Sequence, residues 1–192
     1  MIIQFCGLSG SGKTTLAQLT KLKLEAEHRS VEVIDGDSYR ETLCKGLGFS
    51  KEDRQENFRR MAFVAGRLSK HGIIAIISAI NPYEETRKET RRLYANVSLV
   101  HIDCPLDTLR ERDTKGLYRK ALLPDDHPEK IFNLTGVNDH FDIPKNADLY
   151  VNTSSKPTDE CAGQIVAFIK QHYAMPWGRT NTFVLNKSAK AV

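Results

Sequence analysis

The chain has 192 residues, 40% of them hydrophobic and 27% charged, with a formal net charge of +4. These proportions fit one folded domain with enough chain to bury a core, and they exclude disordered, collagen-like and coiled-coil classes. The mild positive balance suits a small anionic substrate and gives no reason to expect a nucleic acid as partner.

No apolar run in the sequence approaches the roughly 18 to 20 residues of a membrane span. The opening residues, Met1 to Gly7, lack the basic and small-residue signals of a secretory leader. Cys6, Cys44, Cys104 and Cys161 stand far apart with no Cys-x-x-Cys pair. A cytoplasmic protein with buried thiols, and neither a disulfide framework nor a membrane partner, is therefore expected.

In chain order, residues 2–6 form a short apolar run ending at Gly7, the pattern of a buried strand. A helix is expected from about Lys13 to Glu27, and a second strand over Val31–Ile34 that closes on Asp35-Gly36-Asp37. Phe58, Met61, Ala62, Ala65 and Leu68 share one face of a helix from about Lys51 to Lys70. Ser50 with Asp53 three residues on gives that helix a variant of the capping box. Ile73–Ile80 is the most apolar strand, and Asn81-Pro82-x-Glu84 predicts another helix with Asn81 as its N-cap. Then come a strand over Val97–Asp103, a short helix over Pro105–Arg112, a strand over Leu149–Thr153 and a helix from about Thr158 to Tyr173.

Apolar strands alternating with helices predict an α/β fold, a five-stranded parallel sheet covered on both faces. The whole of 1–192 reads as a single domain. Residues 113–145 show no strong periodicity and read as a functional lid. Residues 174–192, with Trp177, read as a tail.

Gly7 to Thr14 match G-x-x-x-x-G-K-[ST] in full, after an apolar strand and before a helix. Glycines at these spacings let successive backbone N–H groups turn toward a phosphate chain, and the helix end adds its positive pole. In such a loop Lys13 reaches the outer phosphates and the Thr14 hydroxyl sits on Mg²⁺. The loop alone fits a kinase, a motor or a nucleotide switch. No Asn/Thr-Lys-x-Asp guanine-reading motif is present, a motor needs larger surfaces, and a lid carrying Lys115, Arg119 and Lys120 favours phosphoryl transfer between small molecules.

Asp35 and Asp37 fall at the carboxyl end of the second strand, beside the phosphate loop, where ligands of such sheets collect. Two carboxylates there suit Mg²⁺ held through water and removal of a proton from an attacking hydroxyl; the plainer reading is a helix cap and a solvated side chain. Arg54 and Asn57 lie on the same side of their helix as the core residues Phe58 and Met61. Polar groups so placed need a partner, either a bound anion or a neighbouring carboxylate such as Asp53 or Glu56.

Taken together, GLSGSGKTT at 7–15, DGDSYR at 35–40, LGFSKEDRQENFRR at 47–60, INPY at 80–83, DTKGLYRKA at 113–121 and NLTGVNDHFDIP at 133–144 resemble the adenylylsulfate kinase family. That resemblance implies a P-loop NTPase-type three-layer fold and transfer of phosphate from ATP to the ribose 3′-hydroxyl of adenosine 5′-phosphosulfate. By it, Gly7, Leu8, Ser9, Gly10, Ser11, Gly12, Lys13, Thr14, Thr15 and Arg112 bind the nucleotide. Lys13 and Asp37 are the catalytic pair, and Thr14 holds Mg²⁺ with Asp35 acting through water. The acceptor would be held by Asp35, Arg40, Phe49, Arg54, Asn57, Ile80, Asn81, Lys115, Leu117 and Leu134.

The resemblance also implies a homodimer and an association with ATP sulfurylase. Four positions depart from the family pattern: Asn81 replaces a common Ser, Leu134 a common Phe, and His140-Phe141 a common Pro-Tyr. An amide forms no phosphoserine-type intermediate, so direct in-line transfer is expected. A kinase for another nucleotide anhydride, such as a cytidine diphosphoramidate, would use much the same framework, and a non-catalytic nucleotide-binding regulator is the reading from a different class.

Overall fold

The apolar runs pair as a single sheet. A computed structural model of the chain describes residues 1–173; the expected tail and Trp177 lie outside the described residues. The strands are β1 (Ile2–Cys6), β2 (Val31–Asp35), β3 (Ile74–Ser78), β4 (Val97–Asp103) and β5 (Leu149–Asn152). They run parallel in the order β2-β3-β1-β4-β5. The helices are α1 (Lys13–Glu25), α2 (Gly36–Glu41), α3 (Lys51–Lys70), α4 (Glu84–Leu93), α5 (Leu106–Arg112), α6 (Leu117–Ala121) and α7 (Thr158–His172).

Side chains of a strand alternate between faces, and the core divides accordingly. Ile3 and Phe5 join Leu16, Ala17 and Leu24 of α1 and Ile165 and Ile169 of α7 on one side. Ile2, Ala75 and Ile77 meet Phe58, Met61, Ala62 and Ala65 of α3 on the other. Every residue of β1 and β3 is buried, which is why those strands read as largely apolar runs, broken in β1 by Gln4. The chain leaves β1 toward β2 and leaves β3 toward β4, so the crossovers diverge between β1 and β3. A crevice opens beyond the carboxyl ends of the strands at such a point.

Element ends shift from expectation by one or two residues, and three local readings change. Ser50 caps α3 through Asp53 N at 3.1 Å, but the Asp53 carboxylate accepts from Gly48 N rather than closing the box. Asn81 is not the cap of α4. That helix starts at Glu84 with no side-chain cap from its own Tyr83, and Asp142 Oδ2 accepts from Glu84 N at 2.9 Å. A carboxylate from far along the chain takes the place that a local residue was expected to fill, and Asn81 instead adopts φ +48 in the left-handed region.

The lid region is not devoid of regular structure. Asp113 accepts from Tyr118 N and Arg119 N and so starts α6, a five-residue helix too short to show a period. Tyr118, Ala121 and Leu134 pack with Cys104 and Leu109, giving the lid a small core of its own. All four cysteines are free and buried. Among the described residues no helix is long and apolar enough to cross a membrane.

Candidate active site

A cleft of about 310 Å³ opens beyond β1, β2 and β3. Its floor is the phosphate loop. Gly10 and Gly12 have φ of +75 and +90, angles closed to most side chains. Gly7 is needed for a different reason: a Cβ there would meet Ile102 O at 2.2 Å. Helix α1 begins at Gly12 with neither a side-chain cap nor an acidic residue in its first turn. Its free N–H groups and positive pole therefore face the cleft undiminished, ready for an anion.

Lys13 is buried, and its Nζ donates to Leu8 O at 2.7 Å. Burial pushes its ammonium down to about 8, with Lys115 adding to the effect. Thr14 Oγ1 donates to Asp35 Oδ2 at 2.9 Å and lies 3.4 Å from Ser78 Oγ. Asp35 also caps α2, its Oδ1 accepting from Asp37 N and Ser38 N. The plainer reading of Asp35 as a helix cap therefore holds, and its second oxygen is turned to Thr14. Asp37 is paired with Lys115 Nζ at 2.7 Å across the mouth of the cleft. The two side chains are 79% and 57% exposed, so the pair adds little stability.

The opposite wall comes from the head of α3 and the 80–83 segment. Phe49 presents a half-exposed ring with the Arg40 guanidinium 4.5 Å and that of Arg54 5.4 Å from its centroid. Burial, and next the neighbouring Arg54, pull the Arg40 pKa down. Arg54 donates from Nε to Phe49 O and from Nη2 to Asn133 O, and its ion-pair partner is Asp139 at 3.2 Å, not Asp53 or Glu56. Asn57 and Asn81 are buried, and each has an Oδ1 with no partner among the described residues. Unpaired buried acceptors lining a cleft call for a donor from a ligand.

Ser9, Gly10, Gly12, Lys13, Thr14, Thr15, Asp35, Asp37, Arg40, Phe49, Arg54, Asn57, Ile80, Asn81 and Lys115 all line this one cleft. The remaining expected residues sit behind it. Gly7 ends β1, and Ser11 is buried with its carbonyl accepting from Thr153 Oγ1. Arg112 donates to Thr153 O, and it shares a small crevice with Leu117 beside Ser9 and Gly10. Leu8 packs against the lid's core, as does Leu117. Leu134 is 5% exposed in that core and does not face the cleft, because its backbone is held by Asn138 and its side chain fills the space beside Tyr118. Of the lid cations, Lys120 pairs with Glu129 instead of facing the cleft.

The sequence did not single out Met61, Ser78, Tyr83 and Thr86 as cleft residues, or Tyr118, whose hydroxyl donates to Ser9 O at 2.7 Å. The one available signal was Ser78, a polar residue closing an apolar strand.

Residues 1–152 match the profile of the adenylylsulphate kinase family. The chain belongs to that family. An adenylyl-sulfate kinase of Deinococcus deserti is 49% identical over 152 residues, 79% of this chain and 81% of that one. A bifunctional SAT/APS kinase of Sorangium cellulosum is 40% identical over 88% of this chain and 28% of its own length. Among solved structures, the Mycobacterium tuberculosis APS kinase CysC in complex with AMPPNP and APS superposes with a TM-score of 0.81. It is 36% identical, and the match covers 88% of this chain and 96% of that one. The fold of this chain is therefore that of an adenylylsulphate kinase family member.

Proposed function

We infer that the chain is an adenylylsulfate kinase: it transfers the γ-phosphoryl group of ATP to the 3′-hydroxyl of adenosine 5′-phosphosulfate, giving 3′-phosphoadenylyl sulfate and ADP. The observation that carries this reading is one cleft in which a phosphate loop and a carboxylate pair face an arginine-flanked aromatic ring, in a chain of this family. Lys13 and the N–H groups of the loop and α1 would hold the ATP phosphates. Phe49 offers a face for the acceptor's adenine, and the Arg54 guanidinium, whose Nε and Nη2 donate to Phe49 O and Asn133 O, would draw the sulfate or phosphate by its charge.

Asp37 would take the proton of the 3′-hydroxyl as its oxygen bonds to the γ-phosphorus and the bond from that phosphorus to the β-bridging oxygen breaks. The acceptor's negative charge would draw Lys115 from Asp37, leaving the carboxylate free as a base. Thr14 Oγ1, the Asp35 carboxylate and Ser78 Oγ form a set of hard oxygens that fits Mg²⁺. Thr14 would hold the ion, with Asp35 acting through water. Bound there, Mg²⁺ supplies neutralisation of the outer phosphate oxygens.

The bifunctional relative supports an association with ATP sulfurylase, and a homodimer working in the cytoplasm completes the proposal. Intact Lys13, Thr14 and Asp37 stand against a purely regulatory role.

The deciding assay incubates purified protein with ATP and adenylylsulfate. One 3′-phosphorylated product per ADP is expected, and no turnover of cytidine diphosphoramidate under the same conditions. Absence of that product, or turnover of the second compound alone, overturns the reading. A pH profile tests Lys13. Only its ammonium form attracts phosphate, and in the empty cleft that form is lost as pH rises through about 8. The kcat/KM for ATP, which reports on the free enzyme, should therefore fall about tenfold per pH unit above that point. Within the complex the phosphates hold the charge, so kcat should stay level over the same range.

A further inference from the structure

We propose that Arg87 is a positioning residue: it fixes the acceptor wall of the cleft and ties that wall to the far end of the lid. This rests on the acceptor reading above and adds a residue that does not itself line the cleft.

Arg87 lies on α4 and is 1% exposed, the largest of the fully buried side chains among the described residues. A buried guanidinium is costly unless every direction of its fork is used. Here Nε and Nη2 donate to Glu84 Oε2 at 3.1 and 2.9 Å. Nη1 donates to Asn81 O at 2.8 Å, and Nη2 donates to Asp142 O at 2.7 Å. Two of the acceptors are main-chain carbonyls. One belongs to the cleft wall and the other to the segment that closes the lid.

The network continues through Gln4, the buried polar residue of β1. Gln4 Nε2 donates to Arg87 O at 3.3 Å, and Gln4 Oε1 accepts from Asn81 Nδ2 at 3.2 Å. Asn81 is thus held by its carbonyl and by its amide, and its backbone sits at φ +48. A non-glycine residue persists in that region only where its surroundings over-determine it. With Asn81 pinned, Ile80 O accepts from Gly7 N at 3.1 Å, and Ile80, Asn81, Pro82 and Tyr83 present their faces to the cleft. Asp142 N donates to Pro82 O, and Asp142 Oδ2 accepts from Glu84 N. The same guanidinium therefore sets both strips of backbone.

A salt bridge to Glu84 needs only a positive charge, which lysine supplies. Aiming two carbonyls needs the planar fork. That difference separates a positioning role from a structural one. The test is calorimetric titration of wild type, Arg87→Lys and Arg87→Met with adenylylsulfate and, separately, with AMPPNP, alongside each variant's Tm. Arg87→Lys keeps a charge opposite Glu84 and is the variant that stays folded. For Arg87→Lys the dissociation constant for adenylylsulfate is expected to rise about tenfold or more, with that for AMPPNP within about twofold. Unchanged acceptor affinity in Arg87→Lys, or equal losses for both ligands, overturns the proposal. Should wild type itself fail to bind adenylylsulfate, the acceptor reading is what falls. The positioning claim is then decided by a crystal structure of Arg87→Lys: Asn81 leaving the left-handed region supports it, and Asn81 unmoved overturns it.

Discussion

Replacing Asp37 with alanine is expected to lower kcat by about 10²- to 10⁴-fold, the usual contribution of a positioned general base, while the affinity for AMPPNP stays within a few-fold. The argument begins with what Asp37 does not hold up. Its side chain is 79% exposed and its one ion pair, with Lys115, is also solvent-facing, so removing it costs little stability. The phosphate loop does not depend on it either, since Thr14 is held by Asp35. What disappears is a carboxylate at the mouth of the cleft. Asp37→Asn keeps the shape and loses the base, and it should match the alanine variant. Asp35→Ala makes the contrast, because it removes the cap of α2 and the partner of Thr14 together, so nucleotide binding should fall as well. Steady-state kinetics with calorimetric AMPPNP titration decide the matter, and unchanged kcat in Asp37→Ala removes that residue from the proton transfer.

Gly7→Ala should be as damaging through packing alone. The added Cβ would lie 2.2 Å from Ile102 O, 2.9 Å from Ser11 Oγ and 3.2 Å from Ile102 C. Two of these atoms are backbone of β4, which pairs with β1 along its whole length, so no flexible side chain can yield to make room. Either the strands part or the phosphate loop moves. A loss of about 3 kcal/mol is expected, at the upper end for overpacking a close-packed interior, together with loss of AMPPNP binding. Gly163→Ala is the control. It lies within α7 with open space at its Cβ, and it should stabilise by up to about 1 kcal/mol through helix propensity. Urea denaturation of both variants measures the two effects.

The sheet and the phosphate loop were legible in the sequence for separate reasons. A strand buried on both faces is apolar at nearly every step, so β1, with Gln4 as its polar exception, and β3 stand out as runs. The loop's glycines, lysine and threonine keep fixed spacings because backbone amides must converge on one point. The 80–84 segment misled because its local pattern suits a capped helix start, whereas Asp142 holds that place from across the fold. The burial of α4 left no mark at all. Its inward residues are Thr86, Arg87 and Thr90, so no apolar stripe announces the packed face, and a guanidinium does work usually left to leucine. Arg54 was rightly suspected of needing a partner, but its carboxylate, Asp139, arrives from the lid. Leu134 shows the same limit: composition marks it as apolar without saying that it turns into the lid's own core and away from the cleft.

The anchoring of that lid has a consequence for the cost of ligand capture. Tyr118 is hydrogen-bonded to the carbonyl of Ser9, and Leu8 of the phosphate loop is embedded among the lid's apolar side chains. The region above the cleft is therefore moored to the loop below it. Closing over a ligand then amounts to turning side chains such as Lys115 on an already assembled frame. Little conformational entropy remains to be surrendered when the reactants meet.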